Sequence, residues 1–479
     1  MSNEINPGLL FLEYWNVLSP FKASKIRNIM RPESKEFFFL IDEALAEANG
    51  EDSYNRISEL VENYGEGRKQ GRMLAVMSSI DNLFYSIHPR LLHLPDSNAF
   101  SPGLTHWLNQ LQMTRIKDGC YLKREGRVLV PRGPLTRTAR AVTTSCAEVF
   151  RDRFHSLSVC DLTSKINEVP VSFDVKVIGV SRKDGVGSVE NRPDIFRFIP
   201  VAIDKDDLNV SQEFRNGQDF IDFKVSDGAR VKACVLDGIV AGDNEPDFVI
   251  VPEFMITENI AGEISDAIFR NPASYRLFLA GTGATLEEED GQSWNEARMM
   301  NARGQVLWRQ RKIWQADLPC ARADKLGVFP TVKSGSIMED NASGENLVIA
   351  DVEDLGRCVI LICQDVKASP LTNYVIDNFQ PDWVFVPLLD FGVDEGRWSH
   401  DRCYALSSSS AARYLVSTSL SLAEKVGDKN LPCASAIGPK DSDGEKINRA
   451  AVLVRLENES NYVDVSWDAV VTKTKMMIK

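Results

Sequence analysis

Two segments of the chain, PDFVIVPE (246–253) and PDWVFVPL (381–388), are near copies of each other. In each, Pro-Asp precedes four apolar residues and another proline, which is the pattern of a short buried strand. Strands of that kind are typical of layered α/β domains, in which helices cover the sheets. The repeat favours a domain with two related halves that each bring a strand end to one site. Two short matches also arise by chance, because buried strands that follow a turn resemble one another.

The arrangement of apolar residues divides the chain near residue 165. Beyond it, strands alternate with helices, starting with VPVSFDVKVIGV (169–180) and DIFRFIPVAI (194–203), so residues 166–479 are predicted to form an α/β domain. Residues 1–165 are predicted to form a mostly helical domain, because their apolar residues recur at helical spacing. The predicted helices cover 34–50, 52–65, 67–88 and 136–154, a hairpin with the turn Arg-Glu-Gly covers 119–133, and a polar loop covers 181–193.

Composition and charge exclude several classes of protein. With 43% hydrophobic and 26% charged residues, the 479-residue chain is expected to be globular. Its net charge of -13 argues against nucleic-acid binding by the protein as a whole. The N-terminus has no basic segment followed by an apolar one, and no run approaches the length of about 18 apolar residues that a membrane helix needs. A cytoplasmic protein without a membrane segment is therefore expected.

The cysteines and histidines suggest neither a disulfide framework nor a metal site. Nine cysteines are scattered without a CxxC pair, and the five histidines include no HExxH spacing. The phosphate-binding pattern GxxxxGK[ST] and the dinucleotide-binding pattern GxGxxG do not occur in the sequence. We therefore expect reduced thiols and neither a metal nor an organic cofactor.

Three residues at or near the ends of predicted strands form a set suited to acyl transfer. Glu253 ends PDFVIVPE, Lys312 lies in GQVLWRQRKIW (304–314), and Cys363 ends the apolar run VILIC. A thiol is a good nucleophile only as the thiolate, so it needs a base and a nearby cation. Glu253 is the candidate base, and Lys312 is the candidate cation that stabilises the charge formed when sulfur attacks a carbonyl or nitrile carbon. The backbone N–H of Gln364 is a second candidate donor for this oxyanion hole.

These three motifs resemble the pattern of the nitrilase superfamily, the carbon–nitrogen hydrolases. The family's Glu, Lys and Cys stand here, in the same order, as IVPEF with Glu253, WRQRKIW with Lys312 and LICQD with Cys363. Further similarities are Asn295 and Gly304 in the run that leads to the lysine, the segment RCYALSSSSAARYLVSTS (402–419) and the hairpin CASAIGPKDSDGE (433–445). The resemblance extends from about residue 195 to 470 and leaves residues 1–165 as an unrecognised N-terminal extension.

The resemblance implies a fold and a reaction. The fold is an α-β-β-α sandwich of two stacked sheets flanked by helices, preceded here by the helical N-terminal domain. The reaction is hydrolysis of a non-peptide C–N bond through a cysteine thioester, with Cys363 as nucleophile, Glu253 as general base and acid, and Lys312 with the Gln364 N–H as the oxyanion hole. Gln-Asp after Cys363 is closer to the amidase-like branch than the Trp-Glu of true nitrilases, which favours a small-molecule amide as substrate. Which amide, urea or carbamoyl compound it is, or whether it is glutamine, stays open.

Two further features of the family bear on this chain. Many members carry a second glutamate that supports the lysine; the candidates here are Asp324, Glu345 and Glu339, the last in a polar segment (334–346) interpreted as an insertion. Members also commonly dimerise through helices that follow the nucleophile strand. A homo-oligomer that uses the segments after Cys363 and near residue 400 is therefore expected.

Other interpretations are kept for part of this pattern. His400, the only histidine in the second domain, would serve a Cys-His mechanism. The fold can also act as a binding or regulatory module whose role is carried by the N-terminal domain, or as an acyltransferase whose acceptor is not water. Residues 114–154 have ten Lys and Arg against four Asp and Glu. This basic segment is either a docking surface for a protein or nucleic acid or a solvated helix face and hairpin.

Overall fold

The computed structural model of the protein describes residues 5–29, 33–65, 68–89, 105–133, 150–166, 168–179, 195–242, 244–329, 331, 336–427, 431–439, 449–456, 460–467 and 470. The predicted loop 181–193 lies outside the described residues. So does most of the predicted helix 136–154, of which only 150–154 are described, with a short 3-10 turn over Phe150–Arg153.

Helices and a three-stranded sheet form the N-terminal part. In chain order the elements are α1 (Pro7–Leu18), α2 (Ala23–Ile29), α3 (Lys35–Leu45), α4 (Gly50–Asn63), α5 (Lys69–Phe84), α6 (His106–Asp118), β1 (Leu122–Arg124), β2 (Arg127–Pro131) and β3 (Leu157–Asp161). Ser34 caps α3 by accepting a hydrogen bond from the N–H of Phe37 at 3.1 Å. The helix predicted over 34–50 ends earlier, at Leu45, because Asn49 caps a new helix that begins at Gly50.

The remaining described elements are strands and helices, as the sequence predicts, but several strands follow one another without a helix between them. In chain order they are β4 (Thr163–Ile166), β5 (Val169–Ile178), β6 (Ile195–Phe198), β7 (Leu208–Arg215), β8 (Gln218–Val225), α7 (Gly228–Val240), β9 (Phe248–Ile250), α8 (Glu258–Arg270), β10 (Leu277–Glu289), β11 (Gln292–Met300), β12 (Val306–Arg311), β13 (Asp317–Leu318), α9 (Cys320–Ala323), β14 (Ile337–Glu339), β15 (Asn346–Val352), β16 (Gly356–Ile360), α10 (Leu371–Tyr374), β17 (Trp383–Leu388), α11 (Trp398–Ser409), β18 (Arg413–Thr418), α12 (Ser421–Lys425), β19 (Ala434–Pro439), β20 (Arg449–Val454) and β21 (Val463–Ser466).

Two large sheets are stacked face to face. One has the strand order β20-β19-β18-β17-β16-β15-β5-β4 and the other β12-β11-β10-β9-β6-β21. Aromatic side chains join them: the ring of Phe248 on β9 lies 4.9 Å from Trp383 and 5.2 Å from Phe385 on β17. Helices α7 and α8 share an apolar core with the outer side of the six-stranded sheet, and α11 packs on β18–β20. The predicted α-β-β-α sandwich is thus confirmed, with a largely helical part before it.

The two near copies in the sequence occupy equivalent places. PDFVIVPE contains β9 and PDWVFVPL contains β17, each an inner strand of its sheet with parallel partners. The two strands face each other through Phe248 and Trp383. Their carboxyl ends meet, because the backbone N–H of Leu389 donates to the carboxylate of Glu253 at 2.9 Å. Both halves therefore bring a strand end to one place.

A small sheet of order β13-β14-β8-β7 lies over these strand ends. Its strand β14 falls within the segment 334–346 that the sequence analysis interprets as an insertion. Met338 and Glu339 pair in parallel with Phe220 and Ile221 of β8. This part of the segment is therefore an ordered strand that carries Glu339 inward rather than a surface loop.

Buried ion pairs fasten the N-terminal part to the eight-stranded sheet. The carboxylate of Asp351 on β15 accepts hydrogen bonds from Arg115 of α6 at 3.1 Å and from Arg357 of β16 at 2.6 Å. The Arg357 guanidinium also donates to the carbonyls of Pro131 and Phe379, at 2.8 and 2.6 Å. Arg357 thus joins the N-terminal hairpin to the strand that leads to Cys363.

Four arginines of the basic segment 114–154 form ion pairs within the chain. Arg115 pairs with Asp351, Arg124 with Glu13, Arg127 with Asp161 and Arg151 with Asp377. Asp351 and Asp377 belong to the second part of the chain. A protein or nucleic-acid partner for this segment stays a prediction, as does the homo-oligomer, and residues 134–149 lie outside the described residues.

The predicted domain boundary near residue 165 lies between two strands that belong to different sheets. Strand β3 belongs to the N-terminal sheet, whereas β4 is an edge strand of the eight-stranded sheet. The division into 1–165 and 166–479 stays a prediction.

Among the helices that the structure describes, none has the length and apolar character needed to cross a bilayer.

Candidate active site

The structure brings Glu253, Lys312 and Cys363 together in one cavity of about 60 Å³. Glu253 lies three residues beyond β9, Lys312 directly follows β12, and Cys363 lies three residues beyond β16. Their exposed fractions are 1%, 1% and 6%. All three side chains are therefore almost completely shielded from solvent.

The carboxylate of Glu253 is held by three donors. Its Oε1 accepts hydrogen bonds from Lys312 Nζ at 2.8 Å and from Asn295 Nδ2 at 3.0 Å, and its Oε2 accepts one from the Leu389 N–H at 2.9 Å. The thiol of Cys363 is a further hydrogen-bond partner of this side chain. Glu253 is therefore oriented from both sheets and lies within proton-transfer reach of the sulfur.

The ammonium of Lys312 lies between two carboxylates. Besides Glu253, its Nζ contacts Glu339 Oε1 at 2.7 Å, and Glu339 Oε2 accepts a hydrogen bond from the Ala316 N–H at 2.8 Å. Among the candidates for the supporting acid, Glu339 is the one that touches the lysine, whereas Asp324 and Glu345 are exposed. An ammonium has three N–H donors, so the contacts to the two glutamates leave one for a substrate oxygen.

The backbone around Cys363 adopts an uncommon conformation. Cys363 has φ 48°, in the left-handed region, and begins a short 3-10 helix (Cys363–Lys367). Buried Asp365 holds this turn, because its carboxylate accepts hydrogen bonds from the N–H groups of Ile362 at 3.2 Å, Ile313 at 3.1 Å and Trp314 at 2.7 Å. One carboxylate therefore fixes the turn at Cys363 to the residues that follow Lys312.

Burial and charge set the protonation of the three groups. Burial raises the pKa of Glu253 to about 7, although Lys312 opposes the shift. Burial disfavours the ammonium, but Glu253 and Glu339 outweigh it and hold the pKa of Lys312 well above its usual value. Burial and the charge of Glu253 raise the pKa of the Cys363 thiol well above its usual value despite Lys312. Burial thus favours the neutral forms of Glu253 and Cys363, whereas the two carboxylates favour the ammonium form of Lys312.

The walls of the cavity come from several elements. The small sheet contributes Ile221, Phe223 and Leu318, and the loop after β17 contributes Leu389, Asp390 and Phe391. Gln364 also lines the cavity, and its role as an oxyanion-hole donor stays a prediction. Arg322 of α9 is the second cationic side chain in the lining. Most of the surface that a substrate meets is apolar.

His400 takes no part in this arrangement of side chains. It lies on α11, where its Nδ1 is 3.4 Å from Asp401 Oδ1 and its ring stacks on Tyr404 with centroids 6.2 Å apart. The residues that line the cavity with Cys363, within the described chain, do not include it. The Cys-His alternative therefore has no support in the geometry.

Comparison with known proteins gives structural neighbours only. No protein-family model matches the sequence, and no curated protein sequence is significantly similar to it. A structure of Saccharomyces cerevisiae Nit3, described as a member of branch 10 of the nitrilase superfamily, aligns with 61% of this chain and 97% of its own at 10% identity, with a TM-score of 0.34. An amidase from Nesterenkonia sp. aligns with 62% of this chain and 97% of its own at 11% identity and a TM-score of 0.34. A structure of the C. elegans NitFhit protein aligns with 60% of this chain and 63% of its own at 11% identity, with a TM-score of 0.33. The similarity to nitrilase-superfamily structures is one of fold.

Proposed function

We propose that the protein hydrolyses a non-peptide carbon–nitrogen bond, that of a small amide, through a thioester on Cys363. The observation that carries this proposal is the buried Lys312 ammonium held 2.8 Å from Glu253 and 2.7 Å from Glu339, beside the thiol. Buried charges that serve stability alone are usually replaceable by apolar residues. A thiol, a base and a cation converging in a cavity are the groups that acyl transfer requires.

The first half-reaction forms the thioester. Glu253 takes the proton of Cys363, and the sulfur attacks the carbonyl carbon, so that a C–S bond forms and negative charge develops on oxygen. The third N–H of Lys312 and the N–H of Gln364 stabilise this oxyanion. The intermediate collapses, the C–N bond breaks, and the proton on Glu253 goes to the departing amine.

The second half-reaction releases the acid. Glu253, again ionised, takes a proton from a water molecule whose oxygen attacks the thioester carbon. The C–S bond breaks, the proton returns to sulfur, and a carboxylic acid leaves. Glu339 keeps Lys312 charged and in place throughout, which is the role of the supporting acid.

The proposed roles of Glu253 are tested by trapping the acyl group. In Glu253→Gln, incubation with p-nitrophenyl propanoate at alkaline pH is expected to leave one propanoyl group on Cys363. Removing the charge of Glu253 takes away one cause that raises the pKa of the thiol, so the thiol ionises in solution without this base, and the aryloxide leaves without a proton. Deacylation still needs the base. Intact-mass spectrometry and peptide mapping of the protein measure it. The double variant with Cys363→Ala is the control and should gain no acyl group at this peptide. Equal acylation of both variants would show that the thioester does not form at Cys363.

The proposed base also predicts the pH dependence of the reaction. Since Glu253 acts as a carboxylate and its pKa is raised to about 7, kcat/KM should rise through neutral pH and fall about tenfold per unit below it. The plateau should extend well into the alkaline range, because the pKa of Lys312 lies above its usual value. Glu339→Gln removes a charge that raises the pKa of Glu253, so the acidic limb should move to lower pH. A profile that is unchanged in Glu339→Gln would contradict the coupling of the two acids.

A further inference from the structure

Asn295 contacts two members of the candidate site without lining the cavity. It lies on β11 and is 1% exposed. Its side-chain Nδ2 donates to Glu253 Oε1 at 3.0 Å, and its backbone carbonyl accepts a hydrogen bond from the N–H of Lys312 at 2.8 Å. The described residues that line the cavity do not include it. Any effect of Asn295 on the reaction therefore passes through other residues and not through contact with the substrate.

Stability alone does not explain a polar side chain at this position. The second polar atom of the side chain, Oδ1, is buried and has no hydrogen-bond partner among the residues that the structure describes. A buried carbonyl oxygen without a donor destabilises a fold. Leucine has a similar shape and would avoid that destabilisation. The hydrogen bond to Glu253 is therefore the feature of this side chain that needs an explanation.

The place beside Glu253 Oε1 suits a neutral donor. This oxygen already accepts a hydrogen bond from the Lys312 ammonium at 2.8 Å. Glu339 and the thiol of Cys363 also face Glu253, and the charge of Glu339 raises its pKa whereas Lys312 lowers it. A hydrogen bond donated to a carboxylate favours the ionised form. An amide N–H provides this effect without a second cation, which would make the carboxylate too weak a base.

The sheet fixes the direction from which the amide approaches. Asn295 pairs with Ala284 of β10 on one side, and the neighbouring Glu296 pairs with Arg311 of β12 on the other. The N–H of Lys312 continues this ladder by donating to the carbonyl of Asn295. One inner-strand residue therefore orients the carboxylate of Glu253 and also fixes the point at which the Lys312 side chain begins.

We propose that Asn295 is a positioning residue that keeps Glu253 ionised and oriented toward Cys363, an inference that rests on the proposed function. A hydrogen bond to a carboxylate is stronger than one to a carboxylic acid, so the amide favours the form of Glu253 that accepts the thiol proton. Once Glu253 holds the proton, the same hydrogen bond favours its release to the departing amine. The covalent bonds of Asn295 do not change in either step.

The test is the pH dependence of turnover by full-length Asn295→Leu and Asn295→Ala. The measured quantities are kcat/KM for propanamide, from ammonia release, and kcat for p-nitrophenyl propanoate, whose deacylation needs the same base. Both changes remove the donor, so the pKa of Glu253 rises and the acidic limb should move up by about 1–2 pH units, the equivalent of a hydrogen bond to a charged group. On the alkaline plateau kcat should fall by about 10- to 100-fold through loss of orientation, with KM almost unchanged.

A double variant tests whether this shift belongs to Glu253. Glu339→Gln removes a charge that raises the pKa of Glu253, so it should move the acidic limb in the opposite direction. The limb of Asn295→Ala/Glu339→Gln should therefore lie between those of the two single variants. A purely structural role of Asn295 would lower activity at every pH and would leave the limb in place.

Asn244→Ala is the matched control. The Nδ2 of Asn244 also donates to a carboxylate, Asp464 Oδ2 at 3.3 Å, and neither residue is among the described residues that line the cavity. Its pH profile should equal that of wild type. Urea denaturation checks folding, and Asn295→Leu should be about as stable as wild type because the change also removes the buried carbonyl.

The possible failures are distinguishable. An acidic limb at the wild-type pH in Asn295→Leu and Asn295→Ala, the same shift in Asn244→Ala, or failure of both Asn295 variants to fold overturns the inference alone. The proposed function is overturned, and the inference with it, if neither propanamide nor p-nitrophenyl propanoate reacts at Cys363 of the wild-type protein.

Discussion

Replacing Cys363 by alanine is expected to lower kcat for amide hydrolysis by about 10⁴- to 10⁶-fold, the loss seen when a catalytic nucleophile is removed. The expected loss is large because no other thiol lines the cavity among the described residues. Without the sulfur, Glu253 and Lys312 can still polarise a bound amide but cannot form the thioester. Ammonia release from propanamide, and alkylation of the Cys363 peptide by iodoacetamide, measure the effect.

Two variants serve as controls for this experiment. Cys358→Ala removes another buried thiol, on β16, which hydrogen-bonds to the Gly356 carbonyl and is not among the residues that line the cavity, and this variant should retain turnover. His400→Ala should also retain turnover, since His400 lies outside the cavity lining. Loss of activity in His400→Ala together with normal activity in Glu253→Gln would favour a Cys-His mechanism instead.

Replacing Asp351 by asparagine is expected to destabilise the fold by about 3–5 kcal/mol, the usual cost of removing one partner from a buried ion pair. The change keeps the shape of the side chain but leaves Arg115 and Arg357, both buried, without their shared carboxylate. Because these contacts join the N-terminal part to the nucleophile strand, both parts should lose stability together. Urea denaturation followed by tryptophan fluorescence gives the free energy of unfolding.

The pH dependence of this loss has a definite sign. Burial disfavours the carboxylate, but Arg357 and Arg115 outweigh it and hold the pKa of Asp351 below its usual value. A carboxyl group whose pKa is lower in the folded than in the unfolded state stabilises the fold. The stabilisation is complete above the unfolded-state pKa of about 4, and it disappears as the pH falls through the folded-state pKa. The difference in the free energy of unfolding between wild type and Asp351→Asn should therefore shrink in acid.

Glu263→Gln, which breaks the exposed pair with Lys232, serves as the control and should change the free energy of unfolding by less than about 1 kcal/mol. Equal unfolding midpoints of wild type and Asp351→Asn would contradict this account.

The sandwich and the meeting of the three strand-end residues could be predicted from the sequence, because both follow from buried strands. Apolar runs such as VILIC identify inner strands, and a polar residue after such a run lies at the sheet edge, where chemistry takes place. The motifs that resemble the nitrilase superfamily then identify Glu253, Lys312 and Cys363 as the three candidate site residues. The hydrogen bond between the Leu389 N–H and Glu253 shows why the two near copies in the sequence matter.

Other parts of the site could not be predicted, because they depend on contacts between distant segments. Glu339 lies in a polar stretch with no sign of burial, and only its pairing with β8 turns it toward Lys312. Arg322 and Asp390 are 68 residues apart in sequence numbering and meet only across the cavity. Asp365 lies two residues after Cys363 in the sequence, but its hydrogen bonds to the N–H groups of Ile313 and Trp314 join segments about 50 residues apart and appear only in the folded chain.

The N-terminal part covers the elements that follow the nucleophile. The hydroxyl of Ser158 donates to the carbonyl of Asn378 at 2.9 Å, and Arg151 pairs with Asp377 at 3.3 Å. A support that belongs to the same polypeptide has a local concentration that dilution does not change. On this face the segment that follows Cys363 is therefore supported to the same extent in a nanomolar assay and in a concentrated stock, because no association of separate chains is needed.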